Sequence, residues 1–402
     1  MLKGMPPPHD SHITPLDNQH LARALELASE ASAFASPNPT VGCVLTSPTG
    51  KILGEGAHFY DRRDHAEIAA LKTAAAQGHS ARGATAYVTL EPCTVHGRTG
   101  PCAEALIAAE IARCVIATAD PNPEVHGNGI SRLRAAGVDI SLLDPALPLA
   151  LEARQLNDAF ALAITYSRPF VTLKAALSVD GKLAPSPTAR ATSTPRWLSG
   201  EAARADVQQL RHSHDVILTG IGTVIADNPS LTDRTGLSRR RPLLRTVLDT
   251  HLRVPLDSNL VQSAAGDLLI LCGPNASFQS EAALVRSGVE VQRLPNPGDL
   301  QQVLSALRSR QIISILLEAG TLLNGAFLAA NLVDRVIFYY AESELGSDAL
   351  PFAANGVSPF ALQGQLSSLS RVTFPHGASE DVRLSGYLHD PWTGLESLTP
   401  NL

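Results

Sequence analysis

Short apolar runs alternate with alanine- and leucine-rich stretches, and this alternation restricts the fold more than any other feature of the sequence. "GATAYVTLE" gives way to "PCAEALIAAE", then to "RCVIATAD", "GISRLRAAG" and "VDISLL". The first, third and fifth runs predict strands and the other two predict helices. Strands joined through helices run parallel, so the sheet should be mostly parallel and covered on both faces. Upstream, "DNQHLARALELASEASAF" predicts a helix capped by Asp17, with Leu21, Leu25 and Leu27 in its apolar stripe. "VGCVLTSPTGKILGEGAH" predicts a hairpin turning at Pro48 to Gly50, and a helix starts near His65. A last helix should run from Asp144 to Thr165.

Pro169 ends that helix and a new apolar strand follows, "FVTLKAALS". Further strands are predicted at "DVILTG", "LLRTVLD", "DLLILCG", "VEVQRL", "SILLEAG" and "DRVIFYYAE", with helices at Gly200–His212, Leu300–Ser309 and Thr321–Ala330. The chain therefore divides into a loose tail over 1–15, an α/β domain over 16–165 and a second α/β domain over 166–375. Beyond Phe360 the sequence is polar and weakly patterned, and 376–402 receives no assignment.

At 402 residues and 44% hydrophobic, each domain can bury a core, and 17% charged residues is too few for a disordered chain. The net charge of −6 comes without a basic stripe, which argues against nucleic acid and for a small-molecule substrate. Five cysteines, odd in number and sparse, do not form a secreted disulfide framework; free thiols suit the cytoplasm. No run is apolar for long enough to span a membrane, and "MLKGMPPPHDSHITP" lacks the apolar core of a signal peptide. A homo-oligomer is allowed but not dictated.

Two stretches carry chemistry. In "DHAE", Asp64 and Glu67 have the spacing of a capping box, which would make His65 an ordinary first-turn residue. The other reading is a metal site. Cys93 follows a strand at its carboxyl end, where open parallel sheets place their ligands. Cys102 follows Pro101 at a helix start, where backbone N–H groups favour a thiolate. His65 also opens a helix, so three ligand types meet at one rim. Three protein ligands leave zinc a fourth position for water, and Glu67 can move that water's proton to a leaving nitrogen. Zinc nucleobase deaminases use such a glutamate, although their two cysteines are closer in sequence than the pair here. Cys43, Cys114 and Cys272 lie in apolar strands and read as buried thiols. In the second half, "GIGT" and "EAGTLLNG" are glycine-bearing turns from strand to helix, suited to phosphate. No full G-x-G-x-x-G is present, so a Rossmann domain is not predicted.

"SPNPTVGCVL", "HAEIAAL", "AYVTLEPCTVHGRTGPC" and "ADPNPEVHGNGISRLRAAGVDI" together resemble the bifunctional deaminase–reductases of riboflavin biosynthesis. "VTLKAALSVDGKLA", "GIGTVIADNPSLTDR" and "ILLEAGTLLNGAFL" continue the resemblance in the family's order, from about Asp17 to Leu345. It implies a cytidine-deaminase-like three-layer α/β/α domain followed by a dihydrofolate-reductase-like α/β domain. The first would hydrolyse the exocyclic amine of a diaminopyrimidine carrying a phosphoribosyl group, and the second would use NADPH to reduce the ribosyl group to ribityl. Zinc would be held by His65, Cys93 and Cys102, with Glu67 as proton shuttle and Asn38, His96 and Arg98 on the deaminase substrate. NADPH would lie against Ala176, Trp197, Thr223, Asp227, Thr250 and the run Gly320, Thr321, Leu322, Leu323, Asn324, Gly325 and Ala326. Arg211, Leu231, Arg234 and Glu318 would contact the reductase substrate. The chain departs from the family at Val95, where a histidine is usual, and at Pro195, where a serine is usual and Thr194 could stand in. Two other readings remain at this point. One is a single-activity deaminase with a structural second domain, and the other is a non-catalytic zinc-stabilised module with His96 as fourth ligand.

Overall fold

The computed structural model describes residues 13–97, 99–186, 188–189, 197–377 and 379–395. The chain separates into two compact units, one ending at Ser167 but regaining the residues from Pro391 onward, the other running from Arg168 to Asp390.

In the first unit, α1 (Pro15–Ala35) is capped by Thr14, not by Asp17. Thr14 Oγ1 accepts the Asp17 N–H, and the Asp17 carboxylate takes the Thr14 N–H in return, a full capping box. The hairpin is β1 (Gly42–Thr46) and β2 (Ile52–Ala57), followed by α2 (Ala66–Ala76). Then come β3 (Thr85–Val88), α3 (Cys102–Ala108), β4 (Arg113–Ile116), α4 (Asn128–Ala135) and β5 (Asp139–Leu142). The sheet order is β2-β1-β3-β4-β5, with β3, β4 and β5 parallel and β1 antiparallel to both its neighbours. Side chains alternate along β3. Ala86 and Val88 join a core with α2, α3 and α4 residues, while Tyr87 joins Leu21, Leu25 and Ala153 on the opposite face. The result is three layers, α/β/α.

The expected single helix over 144–165 is two, α5 (Pro148–Leu156) and α6 (Asp158–Tyr166). Asn157 breaks it, because its side chain bonds both the N–H and the carbonyl of Thr40. After the second unit the chain returns here. Trp392 packs with Ala161 and Leu395, and its indole N–H donates to Asp158 Oδ1 at 3.0 Å.

The second unit is a nine-stranded sheet. In chain order its strands on this sheet are β6 (Phe170–Ser178), β8 (Val216–Gly220), β9 (Leu244–Leu248), β10 (Leu268–Cys272), β11 (Glu290–Arg293), β12 (Ser314–Leu317), β13 (Arg335–Ala341), β15 (Ser367–His376) and β16 (Ser379–Tyr387). A small pair, β7 (Lys182–Ala184) and β14 (Leu350–Pro351), stands apart. The order is β11-β10-β9-β8-β12-β6-β13-β16-β15, parallel as far as β13 and antiparallel thereafter. Three helices matter for the site: α7 (Glu201–Ser213), α8 (Ile221–Asp227) and α12 (Thr321–Ala329), with α9, α10 and α11 at Asn259–Gln262, Phe278–Arg286 and Leu300–Arg308. The weakly patterned stretch after Phe360 is therefore the hairpin β15–β16.

Candidate metal centre and reductase site

His65 is the N-cap of α2, and no side-chain hydrogen bond caps that helix. The capping box expected from Asp64 and Glu67 does not form; Asp64 instead holds Lys72 Nζ at 2.7 Å. Glycines on β2 bring α2 close: a Cβ on Gly56 would stand 2.3 Å from the Ala66 carbonyl oxygen. Cys93 follows β3 at its carboxyl end and Cys102 is the first residue of α3. His65 Nδ1 lies 3.5 Å from Cys93 Sγ and 3.3 Å from Cys102 Sγ, and the Cys102 N–H donates to Cys93 Sγ at 3.4 Å. Among the described residues these three form the one group suited to a metal, their ligand atoms all within 4.8 Å. Two sulfurs and an imidazole nitrogen make a donor set that fits zinc.

The ionisable groups of this cluster perturb one another. The hydrogen bond from Cys102 and the neighbouring His65 pull the Cys93 thiol down to about 4, against burial. Cys102 is pushed up by its hydrogen bond to Cys93 and by burial. Glu67, 3% exposed in the first turn of α2, is raised to about 7 by burial and by Cys93. A cation among the sulfurs would favour the thiolate of Cys102 and the ionised form of Glu67, opposing the two upward shifts.

Asn38 Nδ2 lies 3.0 Å from His58 Nε2, and His58 Nδ1 lies 2.8 Å from the Asp64 carbonyl oxygen. A carbonyl only accepts, so His58 Nδ1 donates to it and Nε2 accepts from Asn38. His58, buried at the end of the hairpin, thus joins Asn38 to the residue preceding His65; sequence reasoning passed it over. Val95 and His96 are exposed. His96 is outside the ligand group and close enough to Glu104 to help lower its carboxyl, behind the larger effect of Arg132. Arg98, Thr194 and Pro195 lie outside the described residues.

In the second unit, Glu318 follows β12 and is held from two sides. Arg211 of α7 approaches it bidentately at 2.8 and 3.0 Å, and Lys174 of β6 at 3.4 Å. Burial alone would raise its carboxyl, but Lys174 and Arg211 outweigh that and hold it at about 2. Arg211 also donates to the Thr232 carbonyl at 3.1 Å, so part of its fork is already committed within the protein. Lys174 was not anticipated. It lies in a mostly apolar strand, and the parallel pairing of β6 with β12 sets it beside Glu318. Leu231 is buried with φ 51°, and Arg234 is exposed with its N–H on Gln208 Oε1 of α7.

Gly220 and Gly320 are the N-caps of α8 and α12, and neither supplies a side-chain cap. A Cβ on Gly320 would lie 3.6 Å from Thr223 Oγ1, and one on Gly220 would lie 3.7 Å from Leu323. The two helix starts therefore adjoin at the carboxyl ends of β8 and β12, which are sheet neighbours. Paired N-termini suit a phosphate-bearing cofactor. Leu322 at 80% and Trp197 at 70% are strongly exposed, and Arg204 lies 5.5 Å over the Trp197 ring. Ala176 is half-buried on β6, Asp227 ends α8 and Thr250 follows β9, both exposed. Asn324 and Gly325 are buried against the segment 352–355 through the Phe352 carbonyl and the Ala354 backbone, with Ala326 in the next position of α12.

Fold and sites define a two-domain enzyme, a zinc-binding deaminase of the cytidine deaminase type joined to a dihydrofolate-reductase-like reductase. Residues 15–118 match the cytidine and deoxycytidylate deaminase zinc-binding region, and residues 169–372 match the RibD C-terminal domain. The chain is 40% identical over 348 residues to the riboflavin biosynthesis protein RibD of Escherichia coli, covering 83% of this chain and 89% of that one. It is 38% identical over 342 residues to the same protein of Bacillus amyloliquefaciens, covering 85% and 88%. The solved structure of RibD from Acinetobacter baumannii superposes with a TM-score of 0.74 at 33% identity, covering 92% of this chain and 98% of that one. The chain belongs to the bifunctional deaminase–reductases of riboflavin biosynthesis. It carries both activities, with zinc serving the deaminase and NADPH the reductase. Because both halves match, nothing favours a lone deaminase or a zinc-stabilised binding module. No described helix is long and apolar enough to cross a membrane.

Proposed function

We propose that the first unit hydrolyses the exocyclic amine of 2,5-diamino-6-ribosylamino-4(3H)-pyrimidinone 5′-phosphate, and that the second reduces the ribosyl group of the product to ribityl. The observation that carries the first half is the convergence of His65, Cys93 and Cys102 above buried Glu67. Zinc held there supplies Lewis acidity at neutral pH. Glu67, raised to about 7, is suited both to accept a proton from the attacking water and to give it to the departing amine. Asn38, oriented through His58, reads the pyrimidine edge, and Arg98 offers a fork to the phosphate.

In the second unit NADPH supplies the hydride. The adjoining starts of α8 and α12 hold its phosphates, with Thr223, Thr250 and Trp197 along it. The N–H groups of Arg211 not committed to Glu318 and Thr232, together with Arg234, bind the sugar phosphate, and Lys174 pairs with the carboxylate that orients Arg211. The acidic net charge supports a small molecule over nucleic acid as partner, and the free thiols support a cytoplasmic location. The test is to incubate purified protein with the diaminopyrimidine, with and without NADPH, following ammonia and NADPH separately. Ammonia release without NADPH, and NADPH oxidation only after deamination, is expected. NADPH oxidation with no ammonia at any stage would refute the order and the substrate.

A further inference from the structure

Beside the metal centre the first unit holds a buried carboxylate, Glu91, that the deamination chemistry does not use. Glu91 follows β3, is 3% exposed, and stands two residues before Cys93. Its carboxylate accepts four backbone N–H bonds. Oε2 takes those of Asp120 at 3.2 Å and Gly127 at 2.9 Å; Oε1 takes those of Gly129 at 2.8 Å and Ile130 at 3.1 Å. All four donors lie between β4 and the first turns of α4. Hydrogen bonds to a carboxylate are stronger than those between neutral groups, and four on one carboxylate hold a segment in a single place.

That segment borders the metal centre. β3 and β4 are parallel neighbours, and the Glu91 N–H donates to the Thr118 carbonyl, so the chain leaves β4 beside Cys93. Asp120, 6% exposed, is the segment's first carboxylate, near enough for the charges of Cys93 and Glu67 to add to the burial that raises it. Packing reinforces the clamp: a Cβ on Gly129 would stand 2.0 Å from the Pro92 carbonyl oxygen and 3.1 Å from Glu91 Oε1.

We propose that Glu91 is a positioning residue of the deaminase, clamping the β4–α4 segment to the ligand-bearing strand end and so fixing the pocket wall that receives substrate. This rests on the reading of His65, Cys93, Cys102 and Glu67 as the deaminase centre. Glu91 touches neither metal nor substrate.

Glu91→Gln keeps the size of the side chain but turns an NH2 toward two of the four donors. Zinc content and reductase kcat/KM should stay at wild-type values, the reductase serving as an internal measure of folded protein. The deaminase KM should rise on the order of 10–100-fold, with kcat changing less, since the misplacement affects docking and not Glu67. Amide exchange at Gly127, Gly129 and Ile130 should accelerate. Gly129→Ala, which pries the segment off from the other side, should reproduce the KM effect. Wild-type deaminase KM in both variants overturns the proposal. Loss of zinc or of soluble protein in both also overturns it, because Glu91 would then hold the ligands or the fold instead of the wall. Absence of ammonia release from the wild type would defeat the deaminase reading itself and this proposal with it.

Discussion

Replacing Gly56 by alanine should disable the deaminase and leave the reductase untouched. Gly56 lies on β2 opposite Cys43 of β1, facing the first turns of α2. The added Cβ would stand 2.3 Å from the Ala66 carbonyl oxygen and 2.4 Å from the Ala70 nitrogen, where ordinary contact begins at 3.4 Å. β2 is held by its ladder to β1, so α2 must retreat by about 1 Å, a typical overpacking response costing roughly 1–3 kcal/mol. The helix carries His65 as its N-cap and Glu67 in its first turn, and both move away from Cys93 and Cys102. A displacement of about 1 Å at a reacting centre lowers rates on the order of 10²-fold. The assay compares ammonia release from the diaminopyrimidine with NADPH oxidation on the deaminated compound, both per mole of protein. Reductase kcat/KM at the wild-type value with deaminase kcat/KM reduced by that factor is expected. Deaminase kcat/KM equal to wild type would show that the close approach of β2 and α2 does not set the position of His65 and Glu67.

Glu67→Gln should retain zinc and lose deamination by at least about 10²-fold, the usual contribution of a positioned acid–base group; near-normal ammonia release would remove Glu67 from the chemistry. Trp392→Ala should destabilise the first unit by about 3–5 kcal/mol, since it empties a buried site and takes the indole donor from Asp158. Chemical denaturation followed through zinc release should show it, and an unchanged midpoint would contradict the return of the chain to this unit. Burial holds His214 of the second unit down at about 4, against 6.5 for the free side chain. The imidazole stays neutral in the fold while the unfolded chain takes up a proton below 6.5, so stability should fall as pH drops from 6.5 towards 4 and then level off. His214→Gln should flatten that slope relative to wild type; an identical slope would acquit the residue.

The alternation of apolar runs revealed both sheets because it reflects local periodicity, which each segment carries by itself. The elements misread depend on distant partners. Asn157 splits the long helix by bonding Thr40, 117 residues away in sequence. β15 is exposed along its first five residues and alternates only weakly after them; its pairing with β16, which in turn pairs with β13, makes it a strand. Asp17 looked like a cap because it is acidic at a helix start, yet it also receives Arg113 at 2.7 Å and Tyr87 at 2.8 Å beneath the helix. The same division runs through the sites. The convergence of His65, Cys93 and Cys102 was legible because a metal accepts few residue types. The contacts of His58, Glu91 and Lys174 were not, since each depends on neighbours brought in by the sheet.

The most direct test is metal analysis of the wild type beside Cys102→Ala, with both activities recorded on the same samples. The account predicts one zinc per chain in the wild type, a marked loss of zinc and of ammonia release in the variant, and full NADPH-dependent reduction in both. Undiminished zinc in Cys102→Ala would contradict the assignment of the metal to His65, Cys93 and Cys102.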